Sequence, residues 1–467
     1  MKRLYQDWKS AHRNVRLLQT IACLRSVCQG IAIVDVSLYL NALGFGGGAV
    51  GGMIALTLLV RLSLSAFART INARLGAKKY LLAFELLTAV ASLTLVFSTN
   101  AAVICTSLAV AGLGVGHSGS GGPAGPIERF WIAAHAKQQT DRAYGFHAAF
   151  GYIGLAVGCL LAGVPQFLQI AQNGASTYRA MFAVITALSL ACAAIVYRLK
   201  GGERKSRGAG TVAASTDDRT TGRSSSAAAL VNGLALALSG TMTSYWLRAK
   251  FGVSEAEIGI VMALSYAGAG ITSIGGIWAA ERFGTAKAIV GMQLAGVVTV
   301  ALMPWSGSIY SAAILTALTT SLHMGSRSNR SAAAASKRRS RTSPEVSSAE
   351  ELDLSGTDIA EPANERSSRK RRFMQTRWRA LLLRLSIVLW PGAFGRMIEH
   401  GHWVLPFYVA AVIQLATTVW YASASASASM SPTELEASAT TSTMDDRNAY
   451  CFYHTQIKLP TTIGGCF

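Results

Sequence analysis

Long apolar stretches and short polar ones alternate along the chain, and the length of the apolar stretches is the first informative quantity. A helix rises 1.5 Å per residue, so about 20 largely apolar residues cross the hydrocarbon of a bilayer. By that rule the first half holds spans at Ala22–Leu43, Gly46–Ala68, Tyr80–Ser98, Ala101–Ser120, Phe146–Ile170 and Ala180–Tyr197. The second half holds Ala227–Leu247, Ile258–Ala280, Ala288–Met303, Ile309–Met324, Leu381–Ile398 and His402–Tyr421. Lipid offers nothing to pair with exposed backbone groups, so each span is predicted to be a helix. The expected fold class is an all-α membrane protein of about twelve transmembrane helices.

The polar runs divide these spans. Residues 1–21 form a basic N-terminal segment, 22–197 a first six-helix bundle, and 198–226 a Gly- and Ser-rich linker. Residues 227–422 form a second bundle, interrupted by a polar insert at 326–376, and 423–467 form a tail that opens with an Ala-Ser repeat. Insert and tail are expected to be disordered, being poor in residues that could form a core. Basic residues mark alternate polar runs: Lys2, Arg3, Lys9, Arg13 and Arg16 at the start, Arg69, Arg74, Lys78 and Lys79 after span two, and Arg198, Lys200, Arg204, Lys205 and Arg207 after span six. Such a bias places these runs, and both termini, in the cytoplasm of a cell, with the chain in the plasma membrane or an organelle membrane.

Composition agrees with the pattern. The 467 residues are 51% hydrophobic and 14% charged, with mean hydropathy +0.35, more apolar surface than a soluble core of that size needs. The net charge of +20 lies between and outside the apolar stretches, which argues for topology and against nucleic-acid binding. Of seven Cys, five (Cys23, Cys28, Cys105, Cys159, Cys192) lie inside apolar runs without a CxxC pair or a His at ligand spacing, so they read as packing residues, with no metal and no cofactor implied. No small-residue cleavage site follows the first apolar stretch, so a removable signal peptide is not expected.

The halves repeat. At an offset of 208 residues, the separation of Gly44 from Gly252, Gly51 meets Gly259, Arg74 meets Arg282, Gly76 meets Gly284 and Lys79 meets Lys287. The two matched loops, residues 69–79 and 277–287, resemble the loop signature of the major facilitator superfamily, Gly-x-Leu-Ala-Asp-Arg-x-Gly-Arg-Arg. Arg74, Gly76 and Lys78 keep the pattern in the first copy, where Ala73 replaces its acid and Arg69 its leading Gly; Ala280, Glu281, Arg282 and Gly284 keep it in the second, where Ile277 replaces that Gly. The resemblance implies two pseudo-symmetric six-helix bundles around a central cavity, working by alternating access. From the residues alone, a cationic turn with Gly at the reversal can cap helix ends and pair with acids on neighbouring helices, a gating role.

Span five carries Gly145, Gly151, Gly154, Gly158 and Gly163, a smooth face for close packing. Gly145, Gly154, Gly158 and Gly163 also resemble the superfamily's antiporter signature, with Cys159 in place of its Pro, which implies export by exchange. The helix-four signature of proton antiporters has an Arg ahead of Gly-x-Gly, where this chain has Leu108.

Ionisable groups at membrane depth are functional candidates by default. Asp35, with Tyr39 one turn on, could carry a proton, bind a cationic substrate, or serve as a structural acid. Arg61 and Glu85 lie twelve residues either side of position 73, which predicts an ion pair across the hairpin, and Glu85 becomes a second proton site if it titrates. Thr243, with Thr241, Tyr245, Trp246, Ser265 and Tyr266, could line a midplane cavity, and Tyr245 and Trp246 read equally well as interfacial anchors. His117 and His147 read as polar interface residues, and the Gly-rich run from Gly112 to Gly122 as a packing or bending device.

The insert holds two dense basic clusters, at 337–344 and 369–372, which suit anionic lipid, and the run at 339–344 resembles a phosphopeptide-adaptor site with Thr342 as acceptor. The sequon at Asn329 should stay bare if it faces the cytoplasm. Together these readings predict a secondary active transporter of a small organic solute, with proton-linked export and membrane lipid as its surroundings. The rivals are facilitated diffusion or uptake, and a transporter-like sensor or scaffold without turnover; no nucleophile-base pairing suggests an enzyme.

Overall fold

Apolar side chains repeated over twenty or more residues leave the helix as the one conformation that pairs every backbone group internally, and the chain takes it. The computed structural model describes residues 11–115, 122–136, 140–167, 176–199, 241–341 and 390–427, and among them the regular elements are helices, with no strand. In the first half these are α1 (Arg13–Ala42), α2 (Gly47–Leu75), α3 (Ala77–Phe97), α4 (Ala101–Ala111), α5 (Gly125–Ala136), α6 (Thr140–Ala162), the single turn α7 (Val164–Phe167) and α8 (Ser176–Tyr197). In the second half they are α9 (Thr241–Phe251), α10 (Glu255–Phe283), α11 (Thr285–Leu302), α12 (Ile309–Arg341), α13 (390–399) and α14 (Leu405–Ser427).

Among the described residues, seven helices are long and apolar enough to cross a membrane, and two shorter apolar ones, Gly47–Arg61 and Ala101–Ala111, accompany them. Their outward faces carry large apolar side chains in the open, among them Ile271 at 72%, Val412 at 66% and Val90 at 60% exposure. Such faces suit lipid, not water, and the chain is an integral, multi-pass membrane protein.

The internal repeat recurs in the backbone. α2 and α10 start 208 residues apart and end 208 residues apart, and so do the starts of α3 and α11 and of α4 and α12. Gly76 (φ 81°, ψ 155°) and Gly284 (φ 85°, ψ 145°) make the same reversal, in a region open essentially to glycine alone. Short turns make neighbouring helices antiparallel, so one end of the bundle holds the start of α1 and the turns at Gly76 and Gly284. It is called the basic end below, and the opposite one the far end.

Several boundaries differ from those the sequence predicts. α1 already begins at Arg13, with Val15, Leu18 and Ile21 buried, so the basic N-terminal segment is partly helix. The span predicted to Ser120 stops at Ala111, because Gly112 (φ 65°) and Gly114 (φ 76°) turn left-handed. α5 occupies what reads in the sequence as a loop. α12 runs to Arg341, past the predicted end at Met324 and over the start of the insert expected to be disordered; Ala332–Ala335 supply strong helix formers there. The rest of the insert with Thr342, the linker beyond Leu199, the tail beyond Ser427 and His117 lie outside the described residues.

Candidate functional site

The halves meet at the far end. α2 approaches α13 so closely that a Cβ at Gly51 would come within 2.0 Å of the Pro391 carbonyl oxygen, and one at Gly395 within 2.0 Å of the Gly47 oxygen. The Gly48 N–H donates to Glu399 Oε2 at 2.8 Å, the Ala256 N–H to Gln166 Oε1 at 3.1 Å, and Tyr178 Oη to Glu255 Oε1. Nearer mid-depth, Tyr152 Oη donates to the Met324 carbonyl at 3.1 Å. All four of these hydrogen bonds join one half to the other, and three of them lie at the far end.

Beside this seam is Asp35. It lies on α1, seven residues from the far end, roughly 10 Å by the helical rise, and is only 1% exposed. Neither carboxylate oxygen has a hydrogen-bond partner among the described residues. A buried carboxylate without donors is costly, so the site is arranged for something other than its own stability. Tyr39, one turn on, packs its ring 5.1 Å from Phe182 and 5.7 Å from Tyr178, both on α8, and its hydroxyl is also unpartnered. α9 packs on α1 and carries the buried Ser244 Oγ and Trp246 Nε1, which have no hydrogen-bond partner among the described residues. Thr243 is buried on the same helix, and Tyr266 is fully buried on α10. The acid thus lies one turn from an aromatic cluster of the first half, Tyr39, Tyr178 and Phe182, which Glu255 of the second half meets through Tyr178, a composition that can bind a polar organic molecule.

A second buried centre lies toward the basic end. Arg25 on α1 donates from Nε to Glu85 Oε1 on α3 at 2.8 Å, from Nη2 to the same oxygen, and from Nη1 to Glu128 Oε1 on α5 at 2.8 Å. The predicted Arg61–Glu85 pair is therefore corrected: Arg25 of α1, not Arg61 of the hairpin, takes Glu85. Arg61 instead donates to the Gly112 carbonyl at 2.8 Å, which Gln29 also reaches at 3.1 Å. The break after Ala111 frees that carbonyl, and a guanidinium caps it well. His147 likewise departs from its expected interfacial place; it is 3% exposed, with Nε2 3.6 Å from Glu128 Oε2.

The gating residues are less engaged. Arg74 is exposed, Lys78 places its ammonium 5.2 Å from the Tyr197 ring centre, and Arg282 stacks on Trp278 and Phe283 of its own helix. The backbone at Glu281 is helical within α10. The glycines of α6 serve two faces, not one. Gly154 and Gly158 let α6 touch α1, where a Cβ at Gly158 would come within 2.2 Å of the Val27 oxygen and 2.9 Å of Gly30 Cα. Gly163 faces Ala256 of α10, and Gly145 faces open space.

Arg25, Glu128, Tyr178 and Glu255 are the residues the sequence reading passed over. Arg25 carried a signal, being a charge inside a predicted span; Glu128 and Glu255 lay in segments that read as loop or flank.

No protein-family profile matches the sequence, and no characterised protein sequence matches it. Solved structures do match. The nucleoside transporter NupG aligns with TM-score 0.60 and 12% identity over 88% of this chain and 99% of its own. A bacterial metal transporter aligns at TM-score 0.57 and 12% identity, over 89% and 99%. A bacterial homologue of the human lysosomal transporter Spinster, inward-facing and occupied, aligns at 0.55 and 13% identity, over 88% and 96%. At these identities the likeness establishes the fold alone: the chain shares the all-helical architecture of these solved transporters.

Proposed function

We propose that the chain is a secondary transporter of a small polar organic solute, working by alternating access, with Asp35 as the residue that couples a proton to export. The fold supports transport in general, and the solved neighbours are named as transporters of nucleosides, of metal and of a lysosomal type. An organic solute is the reading preferred because the rings of Tyr39, Tyr178 and Phe182 cluster one turn beyond Asp35, and such groups recognise polar organic molecules.

The observation that carries the proposal is the carboxylate of Asp35, buried at the seam between the halves with both oxygens unpartnered. A group in that position is stabilised by taking up a proton or by meeting a donor on a substrate, and alternating access offers both in turn. In this conformation the halves are joined at the far end, while Gly76 and Gly284 have open space around them and Arg74 and Arg282 are exposed. We read the two basic turns as contacts made in the opposite state, with the basic end cytoplasmic.

Reconstitution in liposomes tests this. Flux of a mixed nucleoside and small-solute library, followed by mass spectrometry under an imposed proton gradient, should depend on the gradient in the native protein and vanish in Asp35→Asn. Gradient-independent flux that survives the substitution would make the protein a facilitator and Asp35 structural. Absence of flux for every solute would favour the sensor or scaffold reading.

A further inference from the structure

We propose that Arg25, Glu85, Glu128 and His147 form a proton-binding site inside the N-terminal half, separate from Asp35, in which His147 takes the proton. The argument begins with charge. One guanidinium faces two carboxylates, and each carboxylate accepts at least one hydrogen bond from it. Arg25, Glu85 and Glu128 are 8%, 1% and 0% exposed at the side chain. Paired this way, the three leave one surplus negative charge away from solvent, which a low-dielectric interior opposes.

His147 is the group placed to balance it. Its imidazole is buried, neither ring nitrogen has a hydrogen-bond partner among the described residues, and Nε2 lies 3.6 Å from the one Glu128 oxygen that Arg25 leaves unbonded. At 3.6 Å the pair is too long for a hydrogen bond, but a proton on Nε2 would make the imidazole a cation and draw the two atoms into a charge-assisted bond. The cluster would then sum to zero. Among the described residues, the other titratable groups that bear on the centre are Cys28 on α1, Tyr80 on α3 and Cys192 on α8, none of which supplies a positive charge.

The site is not the one at Asp35. Arg25 precedes Asp35 by ten residues on α1, roughly 15 Å, toward the basic end, and all four members belong to helices of one half. It ties α1, α3, α5 and α6 together, so the proton bears on how α5, which no predicted span includes, is held against the bundle. Use of this proton in coupling rests on the proton-linked reading above; its binding does not.

The test therefore needs no substrate. The full chain, labelled with ¹³C,¹⁵N-histidine and held in lipid nanodiscs, is followed by solid-state NMR across mildly acidic to mildly basic pH, where ring shifts separate charged from neutral imidazole. The expected result is a charged-imidazole signal at mildly acidic pH that is absent from His147→Gln and converts to the neutral form in Glu128→Gln. His147→Gln leaves the Arg25 bonds in place, and Glu128→Asp keeps the charge should Glu128→Gln fail to fold; Glu128→Asp should retain the charged signal. A His147 signal that is neutral at every pH at which the protein is folded would overturn the proposal, as would a charged signal unaffected by loss of the Glu128 charge. Failure of transport in the liposome assay would leave this outcome untouched.

Discussion

Arg25 holds carboxylates from two other helices, so truncating it strands both in the interior. Arg25→Ala is expected to destabilise the protein by about 3–5 kcal/mol, the usual cost of breaking a buried ion pair. Arg61→Ala removes a donor to the Gly112 carbonyl, a neutral acceptor that Gln29 also reaches, and should cost less than Arg25→Ala. Thermal unfolding of the purified variants in the same detergent checks the order. Asp35 should behave in the opposite sense: because its oxygens meet no donor, Asp35→Leu is expected to leave the melting temperature unchanged or raise it while abolishing gradient-driven flux. A fall in melting temperature comparable to that of Arg25→Ala would show that Asp35 is a structural acid.

Between elements, the closest approach in the first half is α1 against α6. Gly30, Gly154 and Gly158 bring backbone to backbone there, and any side chain at Gly158 would collide with the carbonyl of Val27. Packing of this kind substitutes for hydrophobic driving force in lipid, where apolar contact with a neighbouring helix is no better than contact with an acyl chain. Gly158→Leu is expected to abolish folded, monodisperse protein, whereas Gly145→Ala, with open space at that point, should elute and melt as the native chain does. Size-exclusion chromatography and a melting curve distinguish them. The turns at Gly76 and Gly284 impose a different requirement, since their positive φ is strained for any other residue. Substituting Ala at either should cost about 1–3 kcal/mol without touching a packing contact.

At the scale of the whole molecule, the far-end seam defines the conformational state. A Cβ at Gly163 would lie 3.2 Å from Cβ and 2.8 Å from Cα of Ala256, closer than the roughly 3.5–4.5 Å between the Cβ atoms of a disulfide, so a small outward shift of the two helix ends brings the pair into bonding range. In a background with all seven native cysteines replaced, Gly163→Cys with Ala256→Cys should cross-link on oxidation and halt flux, and reductant should restore it. Flux undiminished by complete cross-linking would mean that the far end need not open, and alternating access by these two halves would fail as a description.

Periodicity and length determined most of the architecture. Apolar runs near the thickness of a bilayer force helices, and the 208-residue offset, visible in Gly44, Gly76 and Arg74 against Gly252, Gly284 and Arg282, reappears as equal helix starts and equal glycine reversals. These are local properties: a turn that needs positive φ needs glycine wherever the rest of the chain goes. The departure of Asp35 from an otherwise apolar stretch was equally legible, because a charge at depth stands out against its own neighbours in sequence. What tertiary structure alone decided is partnership. Glu85 finds Arg25 across 60 residues of sequence, Glu128 comes from a segment whose polar composition reads as a loop, and Arg61 finds a carbonyl freed by a helix break at Gly112. Side chains within a few ångströms in space carry no mutual signal in a single sequence, since rotation and crossing of packed helices, set here by glycines on α1 and α6, determine which faces meet.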